Sequence, residues 1–551
     1  MGSHARFASL AVLLAALSCR SAEAWRQDAD AEVAPLLAGN RPGLSAVEQF
    51  TIEPPAEPLR ARLEAERAAG IREPLGLDLV GCLRVAAENS RQWQDQREQL
   101  FRVALALTLE RWNFSVQQNG TADAVLNGTQ TSTPNGTVSE TEGSILSNLN
   151  LFKLLGIGTR ITMDIGIDLL EDLGKGDAWD ALSRLSLNIT QPILRGFGPD
   201  IVREPLTQAE RDLVYQSRAY ERFRRTFAVD IAQSYFQTLE RVDRLKNQQA
   251  SYDNLVRLRE RNEAMAEAGR QTDIQVDQTR QDELSAQDGL VTARRDLDAS
   301  LDALKLLLGL PVDVDLQLEE AGLRSMEAWP TLQAQLPEDT AVHVGLARRL
   351  DHATALDQVV DAEREAHVAA DALRMGLDLA GGANVASKRD DISNIQAKDI
   401  DWNLALGVDL PIDKIPERNA YRLTLVAVDA SRRSAAESTD RITAQLRDSL
   451  RRLDAARESF EIQSGSVVLA ERRVESAALN LVAGRASTRD VLDSQDSLLV
   501  AQNALAAALT DTILAGLALY RDMELLEVDE LGIALPPIPT IEQLAEGEVR
   551  S

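Results

Sequence analysis

Aromatic side chains make up only 4% of this 551-residue chain. That scarcity argues against a sandwich rich in aromatics and suits long helices packed through aliphatic and small residues. Cysteine is nearly absent: Cys19 and Cys82 cannot build a disulfide framework or a zinc cluster. Only four histidines occur, and His343, His352 and His367 share one helical stretch with none four apart, so no helical metal pair exists. Positive charge is short as well. Lys and Arg total 59 against 86 Asp and Glu, a net charge of −27, which disfavours a nucleic-acid partner. The excess acid reads either as solvated helix faces or as the wall of an acidic conduit that concentrates cations. No apolar run of transmembrane-helix length is visible in the body of the chain, so any membrane insertion has to use strands. There is no phosphate loop and no nucleophile elbow. Gly381-Gly382 precedes a polar loop rather than a helix. Neither an enzyme nor a cofactor is expected.

What is present begins with a targeting segment. His4 and Arg6 precede the apolar run from Phe7 to Leu17, the pattern of a secretory signal over residues 1–18. Two processing readings stand. Ala16-Leu17-Ser18-Cys19 is an imperfect lipobox, which would make Cys19 a lipid-attachment site. Ala22-Glu23-Ala24 fits ordinary cleavage before Trp25. Residues 19–78 read as an N-terminal extension, polar and punctuated by Pro54-Pro55 and Pro58.

The 18 prolines cluster outside long periodic stretches. A first repeat is expected over 79–311: a helix, two strands and a long helical hairpin. Residues 117–147 carry Asn-Gly-Thr at Asn119, Asn127 and Asn135 amid Ser, Thr and Gly, and read as a solvent loop. The triplets are also glycosylation sequons, a weak reading beside a bacterial lipobox. Ile161, Met163, Ile165 and Ile167 then alternate with polar or small residues, as do Leu185, Leu187 and Ile189. That is the period of a strand with one apolar face. Between Leu206 and Ala268 there is neither Gly nor Pro, and Phe223, Phe227, Ile231, Tyr235, Leu239 and Val242 form one stripe. Leu308-Gly309-Leu310-Pro311 stops the returning helix.

After a linker at 312–338 the plan repeats over 339–530, leaving a tail at 531–551. Strand candidates recur at Leu377–Leu379 and at Leu404, Leu406 and Val408. The turns match best. Ala268-Gly269-Arg270 is followed by Thr272 and Val276, and Ala483-Gly484-Arg485 by Ser487 and Val491 at the same offsets.

This order, performed twice, resembles the TolC-type outer-membrane efflux proteins (outer membrane factors), with a lipoprotein member suggested by Cys19. Leu187-Asn188-Ile189-Thr190-Gln191-Pro192, Leu301 to Pro311, and Gly484 with Asp490-Val491-Leu492-Asp493 are similar to that family's strand exit, end of repeat one and periplasmic entrance. The resemblance implies a mainly α fold with a β-barrel segment. Duplicated helix-strand-strand-hairpin units would form a homotrimeric helical tube topped by a shared 12-stranded transmembrane barrel, four strands per chain. An open sheet edge in lipid is prohibitive, which agrees with trimerisation. The family also implies residence in the bacterial outer membrane and an exit channel serving an inner-membrane pump through a periplasmic adaptor. The adaptor would dock at tips around Gly269, Arg270, Gly484 and Arg485. Asp490 and Asp493, three apart on one helix face, match positions whose carboxylates ring the periplasmic aperture. Crowding would raise their pKa values. The positions of the family's usual gate latch hold Leu481, Ala486, Ile274 and Gln275, so a different ion-pair arrangement is expected there. The rival readings are a periplasmic coiled-coil scaffold or adaptor-like protein without a channel, and a secreted hydrolase.

Overall fold

A computed structural model describes residues 20–39, 59–70, 73–133, 136–172, 180–319, 336–387, 399–529 and 532–539. The signal segment and Cys19 lie outside them. In chain order the elements are α1 (Ala22–Gly39), α2 (Leu59–Ala68), β1 (Leu75–Leu77), α3 (Leu79–Asn89) and α4 (Arg91–Asn113). Next come β2 (Val116–Thr133), β3 (Gly136–Leu154), β4 (Arg160–Asp172) and β5 (Asp180–Pro192). The first long hairpin follows: the single turn α5 (Pro199–Val202), then α6 (Glu204–Glu267) and α7 (Asp273–Leu308), then β6 (Leu316–Leu318). The second half has α8 (Glu338–Arg348), α9 (Leu350–Asp371), β7 (Gly376–Ala386), β8 (Asp401–Asp409), α10 (Ile415–Val482) and α11 (Thr488–Asp522). The chain closes with β9 (Glu527–Asp529) and β10 (Gly532–Ala534).

Two compact units result. One gathers residues 100–217 and 355–435 with 20–39, and holds a six-stranded sheet in the order β2-β3-β4-β5-β7-β8. Every neighbouring pair in that sheet is antiparallel. The second half contributes two strands, as expected. The first contributes four. The segment expected to be a loop at 117–147 is instead the hairpin β2/β3, paired from Val116↔Lys153 to Thr133↔Gly136. Its Thr, Ser and Asn residues conceal the strand, because a two-residue period in which most side chains are small or polar has little hydrophobic contrast.

The other unit gathers residues 51–99, 218–354 and 436–551. Its core is built on the α6 stripe. Phe227, Ile231, Tyr235 and Leu239 are buried, and Phe223 packs against them. A cluster of aromatic residues sits here. The Trp93 ring lies 5.8–6.2 Å from those of Tyr220, Phe223 and Phe227, in edge and tilted arrangements that favour attraction. The buried Tyr235 hydroxyl donates to the Glu319 carbonyl at 3.0 Å, satisfying its polar end. The N-terminal extension joins this core through Leu63 and through β1, which pairs in parallel with β6.

Gly309 ends α7 in the left-handed conformation, with φ 74°, and its N–H donates to the Leu306 carbonyl. A Cβ there would lie 2.2 Å from the Asn89 carbonyl oxygen, so the close approach of α3 and α7 requires glycine. Contrary to the expectation that no transmembrane-length apolar helix exists, α11 is long and apolar enough to cross a membrane by length and composition. Gln502, Asn503 and Asp511 interrupt it and obscure its apolar character. Asn503 accepts a hydrogen bond from Asn247 at 3.1 Å, the partnering of a helix packed against protein.

Candidate functional site

The sheet has two chemically distinct faces, fixed by strict alternation and by register. One face carries rows of apolar residues across neighbouring strands. Leu151, Met163 and Leu187 form one row, and Leu149, Ile165, Leu185 and Val385 the next. On β8 the same face continues through Trp402, Leu404, Leu406 and Val408, which are 77%, 68%, 63% and 55% exposed. Apolar residues so open, in continuous rows, mark a surface that meets something other than water.

The opposite face is mostly polar, with Phe152, Leu146 and Leu182 among its apolar exceptions. One row reads Asn119, Asn150, Asp164, Ser186, Asn384 and Asp401 across the six strands. Asn150 donates to Asp164, Ser186 donates to the other Asp164 oxygen at 3.2 Å, and Arg184 pairs with Asp168. The result is a hydrogen-bonded, predominantly acidic lattice on one side of a sheet whose other side is apolar. Barrels that line an aqueous lumen and face lipid have this division.

The second candidate region is the pair of hairpin tips. Gly269 and Gly484 have φ 69° and 68°. Arg270 N–H donates to the Met265 carbonyl and Arg485 N–H to that of Asn480, both at 2.8 Å, so the two turns use the same left-handed cap. All four of these residues are exposed. The residues at matched offsets are matched in role. Thr272 caps α7, its N–H donating to Gln275 Oε1 at 3.2 Å. Ser487 caps α11, its N–H and its hydroxyl both donating to Asp490 Oδ2 at 2.7 Å.

Within one chain that geometry gives Asp490 a local role. Its carboxylate is the far half of a capping box, and the Ser487 N–H holds its pKa below the ordinary aspartate range rather than above it. Asp493 is exposed and lies 3.9 Å from Arg489, a weak surface pair. The carboxyl pushed upward is one that the sequence reading missed. Asp282 on α7 is raised by burial and by the nearby charges of Asp493 and Asp496 on α11. The three converge from different hairpins, so spacing along the chain gives no sign of Asp282.

Within one chain, the seam between the tips combines apolar packing with a polar contact. Leu481, at a latch position, is buried with Leu255, Leu258, Ala286, Val491 and Leu492. Gln271 Nε2 donates to Thr488 Oγ1 at 3.2 Å across the seam. The strong ion pairs nearby, Arg259 with Glu263 and Glu283, lie within the first hairpin.

The family model described as "Outer membrane efflux protein" matches residues 177–310, from β5 to the end of the first hairpin. No curated protein matches by sequence. Among solved structures, the chain is similar to CusC, from work on conformational changes accompanying folding and transmembrane channel formation. Identity is 16%, with 81% of this chain and 91% of that chain covered, at a TM-score of 0.59. The outer membrane protein VceC of Vibrio cholerae matches at 15% identity, covering 81% and 95%, with a TM-score of 0.58. The Campylobacter jejuni CmeC outer membrane channel matches at 14% identity, covering 86% and 88%, with a TM-score of 0.58. At such identities the likeness establishes the fold.

Proposed function

Starting from a chain that has the fold of the outer-membrane efflux channels, with residues 177–310 matching that family's model, we propose a trimeric outer-membrane exit duct. It conducts solutes or proteins passively from an inner-membrane pump to the exterior, in a tripartite efflux or type I secretion assembly. The observation that carries this reading is the sheet: apolar on one face, mostly polar on the other, and unpaired at both ends among the described residues. Lipid tolerates no unsatisfied strand edge, and a barrel shared between copies removes the edges. The hairpin tips, with Gly269, Arg270, Gly484 and Arg485 exposed, are the docking surface for a periplasmic adaptor. Asp490 and Asp493 line the periplasmic aperture. Cys19 is the point of lipid attachment.

Exposed apolar residues on the hairpins support lateral packing between copies. Leu284 and Val291 on α7, seven apart, are each 60% exposed, and Ile462 and Leu469 on α10, also seven apart, are 60% and 66% exposed. Apolar pairs left open seven residues apart have the spacing that packing against a helix of a neighbouring copy would use. Carbonate washing of membranes, cross-linking in native membranes and single-channel recording in planar bilayers test the proposal. The expected results are retention in the membrane, a ladder ending at the trimer, and discrete conductance. A soluble, non-conducting protein would leave the scaffold reading instead.

A further inference from the structure

We propose that each chain gives six strands to the barrel, which closes as eighteen by pairing β8 of one copy with β2 of the next. This rests on the trimeric channel proposed above and differs from the four strands per chain that the resemblance implies.

Four observations carry it. First, the six strands form one uninterrupted antiparallel meander. With an even number of strands, β2 and β8 run in opposite directions. The seam between copies is therefore antiparallel like every other pair in the sheet. Second, both terminal edges are open among the described residues. All nine residues of β8 are exposed, as are those of β2 from Gln118 to Gln130. Third, the β2/β3 hairpin belongs to the same two-faced surface as the other strands. Leu149 and Leu151 of β3 stand in the apolar rows with Ile165 and Met163 of β4, while Asn150 and Asn119 stand in the polar row with Asp164. Fourth, a barrel of four strands per chain would have to close on β4. That strand's outer edge is already paired to β3 over thirteen positions, from Glu142↔Asp172 to Leu154↔Arg160. Those ladder bonds would have to be broken and the apolar residues of β3 removed from the belt.

The faces constrain how the seam is made. Inward residues must meet inward residues, because a one-residue slip would turn every side chain over. Asp401 and Asn403 of β8 therefore face the lumen beside Asn119, Thr121 or Asp123 of the neighbouring β2. Outward, Trp402 and Leu404 lie beside the small residues Gly120 and Ala122. Barrel diameter grows roughly linearly with strand number, so eighteen strands give a lumen about one and a half times as wide as twelve.

The test uses the full-length protein in membranes. Asn403→Cys is combined in turn with Asn119→Cys, Thr121→Cys and Asp123→Cys, a set that samples the registers preserving the faces. Each double variant is oxidised and run under non-reducing conditions. Asn403→Cys with Thr162→Cys of β4 is the counterpart for a four-strand seam. The expected result is a covalent ladder ending at the trimer for at least one β8–β2 pair, and none for the β8–β4 pair. Links from β8 to β4, or no β8–β2 link in a protein whose detergent-solubilised mass is trimeric, overturn the proposal. A monomeric mass overturns the channel reading on which it rests. The unmutated trimer supplies an independent readout. End-on electron-microscopic projections should show a barrel about one and a half times the diameter of a twelve-stranded one, and a diameter matching twelve strands overturns the proposal.

Discussion

At Asp490 a local hydrogen bond sets the state of an exposed carboxyl. Two donors from Ser487 meet one of its oxygens, and its folded-state pKa lies below the ordinary value. A carboxyl lowered on folding stabilises above its unfolded pKa and loses that contribution as pH falls through the folded one. Asp282 behaves in the opposite sense. Its raised pKa means that the cost of burying its charge is full above that value and vanishes in acid. Below the ordinary aspartate range the start of α11 should therefore fray while the pressure at Asp282 is relieved. Amide exchange at Ser487, Thr488 and Arg489 should accelerate there, and Ser487→Ala should show the same acceleration already at neutral pH. Unchanged exchange in both cases would mean the box contributes nothing. Gly309 gives the matching backbone case. Gly309→Ala places a Cβ 2.2 Å from the Asn89 carbonyl at a residue with φ 74°. The left-handed conformation alone costs roughly 1–2 kcal/mol with a side chain, and displacing α3 adds to it. A thermal unfolding midpoint lowered by several degrees in detergent is expected, and an unchanged midpoint would show that α3 yields freely.

Among the elements, the helical hairpins were legible from the sequence because every signal agreed. Gly and Pro were absent from Leu206 to Ala268, Gly465 alone interrupted the run from Glu417 to Ala483, a stripe ran at helical spacing, and matched Gly turns closed each hairpin. Strands β4, β5, β7 and β8 were legible through alternation of Ile and Leu with polar residues. The β2/β3 hairpin was not. Its outward side chains on β2, from Gln118 through Gly120, Ala122 and Ala124, have almost no hydrophobic contrast, and three Asn-Gly-Thr triplets resemble loop chemistry. Pairing to β3, whose Leu149 and Leu151 do alternate, decides its state. The capping role of Asp490 was nearly legible, since Ser487 precedes it by the capping-box interval. Asp282 was not, because it meets Asp493 and Asp496 only through tertiary packing. Among the described residues, Gly128–Thr133 and 136–141 pair with each other and with no other strand, a ribbon about 20 Å long at the usual rise per residue. An epitope inserted after Thr131 should be reached by antibody on intact cells. Labelling only after the outer membrane is opened would place the ribbon on the periplasmic side.

At the scale of the whole molecule, the net charge of −27 takes on meaning only where symmetry concentrates it. On the proposed reading, three copies would bring Asp490 and Asp493 together as six carboxylates around the aperture, with Asp282 and Asp496 near Asp493. A ring of fixed negative charge admits cations, repels anions and holds multivalent cations long enough to interrupt current. Because Asp490 is kept ionised by Ser487, its charge should persist through the neutral range rather than titrate away as simple crowding would predict. The double variant Asp490→Ala, Asp493→Ala should therefore lower cation selectivity and weaken block by trivalent cations added from the periplasmic side, at low salt where screening is least. Removing Asp490 also removes half of a capping box, so a change in tip structure could imitate a change in charge. Ser487→Ala separates the two, because it removes the hydroxyl half of the box and leaves in place both carboxylates and the backbone N–H bond to Asp490. Asp273, the acid at the start of the first tip's returning helix, tests position, and Asp273→Ala should have the smaller effect. If Ser487→Ala reproduces the loss of selectivity, the aperture depends on tip order rather than on charge. If neither variant alters reversal potential or block, Asp490 and Asp493 are no more than a solvated helix face.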